Sequence, residues 1–135
     1  TGGDLEMVKK RILLVDDSPF FLTALHDALS GEFHVKTAAS GEEAIDLPKE
    51  TEIVKDGVGI PFDLVITDLE MPGLSGYDIS RFIKDKNRSN KFTPVIMLTG
   101  KEITKEEARQ HGCAAYIPKT HLAKVLSMAK ILLLK

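Results

Sequence analysis

The chain has 135 residues, 43% of them apolar, which suits one domain built around one sizeable core. Its 18 basic and 20 acidic residues leave a formal charge of -2, which argues against a nucleic-acid partner for this segment and against electrostatic attachment to a membrane. Cys113 is the only cysteine, so an internal disulfide and a thiolate zinc cluster are excluded. No apolar run reaches the roughly 18 to 20 residues that span a bilayer, no signal-peptide pattern opens the chain, and the expected compartment is the cytoplasm.

Residues 1–10, with Thr1-Gly2-Gly3-Asp4 ahead of the first methionine Met7, read as a linker or cloning remnant, and residues 11–135 as the domain. The absent initiating methionine favours a segment cut from a longer protein. Ile12-Leu13-Leu14-Val15 is short and continuously apolar, the pattern of a buried strand, and it ends in Asp16-Asp17. Ser18-Pro19 then forms an N-cap with proline at the first helical position; Phe21, Leu25, Ala28 and Leu29 follow at helical spacing until Gly31. Phe33 to Ala38 is a weaker strand, and Ser40-Gly41-Glu42-Glu43 has the form of a capping box opening a second helix, which Pro48 is expected to shorten or kink. Thr51 to Pro61 is a glycine- and proline-punctuated excursion without the spacing of a phosphate loop.

Leu64-Val65-Ile66 reads as a central strand surfacing at Asp68, with Met71-Pro72-Gly73 as the turn that stops it. Ser75 can cap a third helix carrying Ile79, Phe82 and Ile83 inward, and Pro94 to Thr99 is the next strand. Thr104-Lys105-Glu106-Glu107 is a second capping box, opening a short, weakly apolar helix that Gly112 ends. Ala114 to Ile117 is the last strand, Pro118-Lys119-Thr120 its exit, and Leu122, Val125, Leu126, Ala129, Leu132 and Leu133 face inward on a closing helix. This alternation implies an α/β fold: a doubly wound parallel sheet of five strands, with right-handed crossovers and helices on both faces.

A parallel sheet brings its strand ends to one edge, which gathers Asp16, Asp17, Asp68, Thr99 and Lys119. Carboxylates within about 4 to 5 Å of one another repel by a few kcal/mol per pair at an effective dielectric near 20, so they persist as anions only with a cation between them. An all-oxygen set suits a hard ion, Mg2+ or Mn2+. The four histidines, His26, His34, His111 and His121, do not sit at strand ends that converge there. Carboxylate, divalent ion, hydroxyl and ammonium together are the equipment for phosphoryl transfer onto an aspartate. The chemistry alone leaves Asp17 and Asp68 open as the nucleophile.

Ile12-Leu13-Leu14-Val15-Asp16-Asp17-Ser18, Asp68-x-x-Met71-Pro72-Gly73-x-x-Gly76, Thr99 and Lys119, in this order, resemble the receiver domain of two-component response regulators over roughly Arg11 to Leu133. The resemblance implies a flavodoxin-like sheet of order 2-1-3-4-5 and a signalling switch phosphorylated by a histidine kinase or phosphotransfer domain. It implies Asp68 as phosphoacceptor, Asp17 as a direct metal ligand, Asp16 as a partner reaching metal-bound water and the Glu70 backbone carbonyl as a further ligand. Lys119 is assigned to a phosphoryl oxygen, and Thr99 and Tyr116 to a switch that remodels the surface of the fourth helix, fifth strand and fifth helix for a downstream protein or attached domain. Such a domain promotes its own phosphorylation and dephosphorylation and turns over no external substrate. The chain departs from the family at Lys119-Thr120, where the family has Lys-Pro with a cis bond, and in the 51–61 excursion. The lysine without its proline is similar to receivers attached to chemotaxis kinases or coupling proteins. Two other readings compete: a receiver-like interaction module that is never phosphorylated, and an aspartyl-phosphate phosphatase, which expects Asp-x-Asp where this chain has Asp16-Asp17-Ser18.

Overall fold

The computed structural model describes residues 9–51, 62–86 and 92–134. Its elements run β1 Arg11–Val15, α1 Pro19–Leu29, β2 His34–Ala38, α2 Gly41–Thr51, β3 Leu64–Asp68, α3 Gly76–Lys86, β4 Val95–Thr99, α4 Lys105–Gln110, β5 Ala115–Pro118, a 3-10 turn Lys119–His121, and α5 Ala123–Leu133. The five strands form one parallel sheet of order β2-β1-β3-β4-β5, as the resemblance implied. Register at the β1–β3 seam is pinned where Asp63 accepts from the Arg11 amide at 2.8 Å and returns its own amide to the Arg11 carbonyl at 2.8 Å.

Alternation along each strand sorts the core into two layers, because successive side chains leave a pleated strand on opposite faces. Ile12, Leu14, Leu64, Ile66, Ile96, Leu98 and Ile117 pack with Leu25 and Leu29 of α1 and with Val125 and Ala129 of α5. Leu13, Val15, Val65, Val95 and Met97 pack on the other face with Ala44 of α2, Ile79 and Ile83 of α3, and Ala108 of α4. Central strands covered on both sides read as unbroken apolar runs for this reason. No helix among the described residues is long and apolar enough to cross a membrane.

Several local expectations change. Helix α2 continues through Pro48 to Thr51, so proline does not end it there. Ala28 is exposed, and Leu22 packs against the core in its place. Helix α1 ends at Leu29, with Ser30 in a right-handed conformation as its cap, so Gly31 is not needed to turn the chain. The Thr104 box is half formed: Thr104 accepts from the Glu107 amide at 3.0 Å, but the Glu107 carboxylate accepts the Tyr77 hydroxyl at 2.9 Å. The competing bond to α3 wins because it satisfies a half-buried phenol hydroxyl, which is costly to leave unpaired. The 52–61 part of the expected excursion and the residues ahead of Lys9 lie outside the described residues.

Candidate phosphorylation site

Each acid is delivered by a strand end. Asp16 follows the last residue of β1, is fully buried, and accepts the Ser18 amide at 2.9 Å; Ser18 in turn caps α1. Asp17, beside it, is exposed. Asp68 closes β3 at 3% exposure and accepts the Glu70 amide at 3.3 Å. Two glycines let the chain turn so tightly after it. Gly73 has φ of 80°, a left-handed conformation that side chains disfavour, and a Cβ at Gly76 would lie 2.5 Å from both the Asp68 carbonyl oxygen and the Met97 sulfur. The placing of Gly73 and Gly76 after Asp68 is therefore a steric requirement for folding α3 back beneath the strand end.

Oxygen atoms of Asp16, Asp17 and Asp68 lie within 4.8 Å of one another. Lys119 enters from the end of β5 and places its Nζ 3.0 Å from Asp16 Oδ2 and 3.3 Å from Asp68 Oδ2, with 18% of its side chain exposed. It does so with a trans Lys119–Thr120 bond, and from there the ammonium reaches both carboxylates. Burial first, and the Asp16 charge second, raise the Asp68 carboxyl from 3.8 to about 6, against the opposing pull of Lys119 and the Glu70 amide. Burial works against the Lys119 ammonium, but the Asp16 carboxylate beside it, followed by that of Asp68, outweighs it and raises its pKa.

These residues fit a hard divalent cation. The donor set is all oxygen, and Asp16 Oδ2 is buried with no aligned hydrogen bond among the described residues, its contact with Lys119 being ionic rather than directional. Among the described residues, three clustered acids face the one ammonium of Lys119, which leaves negative charge that a second cation would balance.

Thr99 ends β4 fully buried, but its hydroxyl donates to the Lys101 carbonyl at 3.0 Å and accepts the Lys101 amide at 2.9 Å. The hydroxyl is thus engaged by its own loop. Tyr116 on β5 is half-buried and, with Thr99 and Lys119, lines a cavity of about 700 Å3 between the loops that follow β4 and β5. The Glu70 carboxylate pairs with Lys101 at 3.2 Å. Sequence reading missed Lys101 because it lies in a polar loop with no motif, and nothing in the pattern shows which acid its ammonium faces. It also counted Phe21 only as a helix-face residue, whereas its ring lies under Lys119, with Nζ 4.3 Å from the centroid.

A family model described as the response regulator receiver domain matches residues 12–130, and the chain belongs to that family. It is a receiver domain, a phosphoacceptor signalling switch of the two-component class. A probable cyclic di-GMP phosphodiesterase of Vibrio cholerae is 35% identical over 96 residues, which are 71% of this chain and only 20% of that protein. The polar-differentiation response regulator DivK of Brucella ovis is 31% identical over 114 residues, covering 82% of this chain and 84% of DivK. Among solved structures, the receiver domain of the histidine kinase CKI1 from Arabidopsis thaliana, complexed with Mg2+ and BeF3-, superposes with a TM-score of 0.76 at 30% identity. That match covers 93% of this chain and 91% of that one.

Proposed function

We propose that residues 11–135 form a receiver that accepts a phosphoryl group on Asp68 from a histidine kinase or phosphotransfer domain in the cytoplasm. The observation that carries this reading is the Lys119 ammonium lying between two buried carboxylates, beside a third acid, at the carboxyl edge of the sheet. An Asp68 oxygen forms the new bond to phosphorus while the donor's bond to phosphorus breaks, and the donor leaves with that electron pair. Lys119 holds a phosphoryl oxygen as negative charge spreads over the group. Asp17, Asp68 and the Glu70 carbonyl would hold Mg2+ or Mn2+, with Asp16 reaching it through water; when bound, the ion supplies charge neutralisation and orients the phosphoryl oxygens. The CKI1 receiver with Mg2+ and BeF3- supports this assignment by likeness.

Phosphorylation adds about -1.5 to -2 charges and strong acceptor oxygens at Asp68. Thr99 then exchanges its bonds to Lys101 for one to the phosphoryl group, and Tyr116 turns into the space vacated, remodelling the α4–β5–α5 surface for a downstream protein or attached domain. The chain promotes gain and loss of its own phosphoryl group and turns over no external substrate. Incubation with MgCl2 and acetyl phosphate tests the reading by intact-mass spectrometry. One labile adduct is expected on the parent, and none on Asp68→Asn. A parent that gains no adduct, or an Asp68→Asn variant that gains the same one, sinks the assignment, and repeated turnover of the donor would favour a phosphatase.

A further inference from the structure

The Lys119 ammonium has three faces, and the two carboxylates account for only two of them. Asp16 Oδ2 stands at 3.0 Å and Asp68 Oδ2 at 3.3 Å. The third is covered by the Phe21 ring, whose centroid lies 4.3 Å from Nζ, within the range in which the negative face of an aromatic ring attracts a cation. Phe21 is itself held in place. Its amide donates to the Ser18 cap at 3.5 Å, which fixes the first turn of α1, and Phe20 packs edge-on against its ring with centroids 5.4 Å apart at 78°.

We infer that Phe21 is a positioning residue for phosphoryl transfer: its ring holds the Lys119 ammonium over Asp68 and closes that side to water. The flexible stem of a lysine makes such a constraint necessary. Lys119 opens a 3-10 turn that lacks a side-chain cap, and its two carboxylate partners pull in different directions, Asp16 being the nearer. Without the ring, the ammonium gains access to water and to orientations that serve Asp16 alone. With it, the same ammonium stays within reach of any oxygen added to Asp68. The ring carries no charge, so it stabilises the cation without competing for the divalent ion or repelling the incoming phosphoryl group.

The inference rests on the reading of Asp68 as phosphoacceptor, and the experiment separates the two. Phe21→Leu keeps an apolar side chain of similar size but has no aromatic face, and Phe21→Tyr keeps the face. In unphosphorylated protein, ring-current displacement of the Lys119 side-chain proton resonances should be present in the parent and in Phe21→Tyr and absent in Phe21→Leu. The rate of adduct formation with acetyl phosphate at saturating MgCl2 should fall about 3- to 10-fold in Phe21→Leu and be largely recovered in Phe21→Tyr, a range set by the strength of cation–π contacts. Equal rates in parent and Phe21→Leu overturn the role of Phe21 and leave the phosphoacceptor reading intact, as does a Lys119 spectrum unmoved by Phe21→Leu. A parent that takes no phosphoryl group overturns that reading and this role with it, whatever the spectra show. Should Phe21→Leu melt earlier than the parent, a rate recovered by Phe21→Trp but not by Phe21→Met still supports the ring, and equal rates in those two variants overturn it.

Discussion

Strand β3 is dry along its length, but its two ends are buried on different terms. Leu64, Val65 and Ile66 are 0% exposed and contact apolar side chains from helices on both faces, so removal from water stabilises them. Asp68, two residues beyond Ile66, is 3% exposed, and its burial opposes its charge enough to raise its pKa to about 6. The two ends show where this molecule's folding free energy is gained and where it is spent. An over-determined sheet interior supports a rim of acids that would not stay together unaided, and the charge crowded there is what a cation would relieve.

Truncating the interior should cost most. Ile66→Ala removes a fully buried side chain between α1 and α5 and is expected to lose about 2 to 5 kcal/mol in urea denaturation. A loss below about 1 kcal/mol would mean that the core relaxes around the cavity. At the rim the sign reverses. Because the folded-state pKa of Asp68 is raised above its unfolded value, its contribution is most favourable below about pH 4 and is lost as the pH rises through about 6. Asp68→Asn should therefore be more stable than the parent at pH 7 without divalent ions, by roughly 1 to 3 kcal/mol. The gap should close as the pH falls from 7 to 4, and added Mg2+ should raise the Tm of the parent more than that of the variant. Melting curves across that range in which the parent is the more stable at neutral pH would contradict the idea of a strained rim.

A smaller effect sharpens the same contrast on the opposite side of the sheet. Helix α4 buries only Ala108, and is fastened to α3 by polar contacts: the Tyr77 hydroxyl donates to Glu107 at 2.9 Å, and the Tyr77 ring stacks on His111 at 3.7 Å and 9°. The Ser80 hydroxyl adds a bond to the His111 carbonyl at 3.0 Å. Tyr77→Phe keeps the stack, loses the hydroxyl, and should destabilise the chain by about 1 kcal/mol, with hydrogen exchange rising first at α4 amides. Uniform exchange across the domain would show that α4 is not the weakly held element. Smallest of all is Lys101→Ala, which breaks an exposed ion pair with Glu70 and should change stability by at most about 0.5 kcal/mol. A larger loss by chemical denaturation would make that loop part of the rigid frame.

How far the sequence reaches follows from which interactions are local. Apolar runs, caps and glycine spacing report on neighbours in the chain, so the β-α alternation, the sheet order implied by the motifs, and the acids at the ends of β1 and β3 were legible before any coordinates. Pro48 does not shorten α2, because a helix already nucleated by its first turn can run on through a proline. Ala28 misled because helical spacing narrows the buried face without fixing its edge. The ring of Phe21 beneath Lys119, the Lys101 ammonium over Glu70, and the diversion of Glu107 from its cap to Tyr77 join residues far apart in the chain. Such pairings depend on how helices rotate and loops close over the sheet, and no spacing in one strand of text encodes that rotation. By itself the amino-acid order determined the fold and the cast of charged groups at its edge. Only the packed molecule decided which atoms face one another, because the energies that choose those contacts arise after distant segments have been brought together.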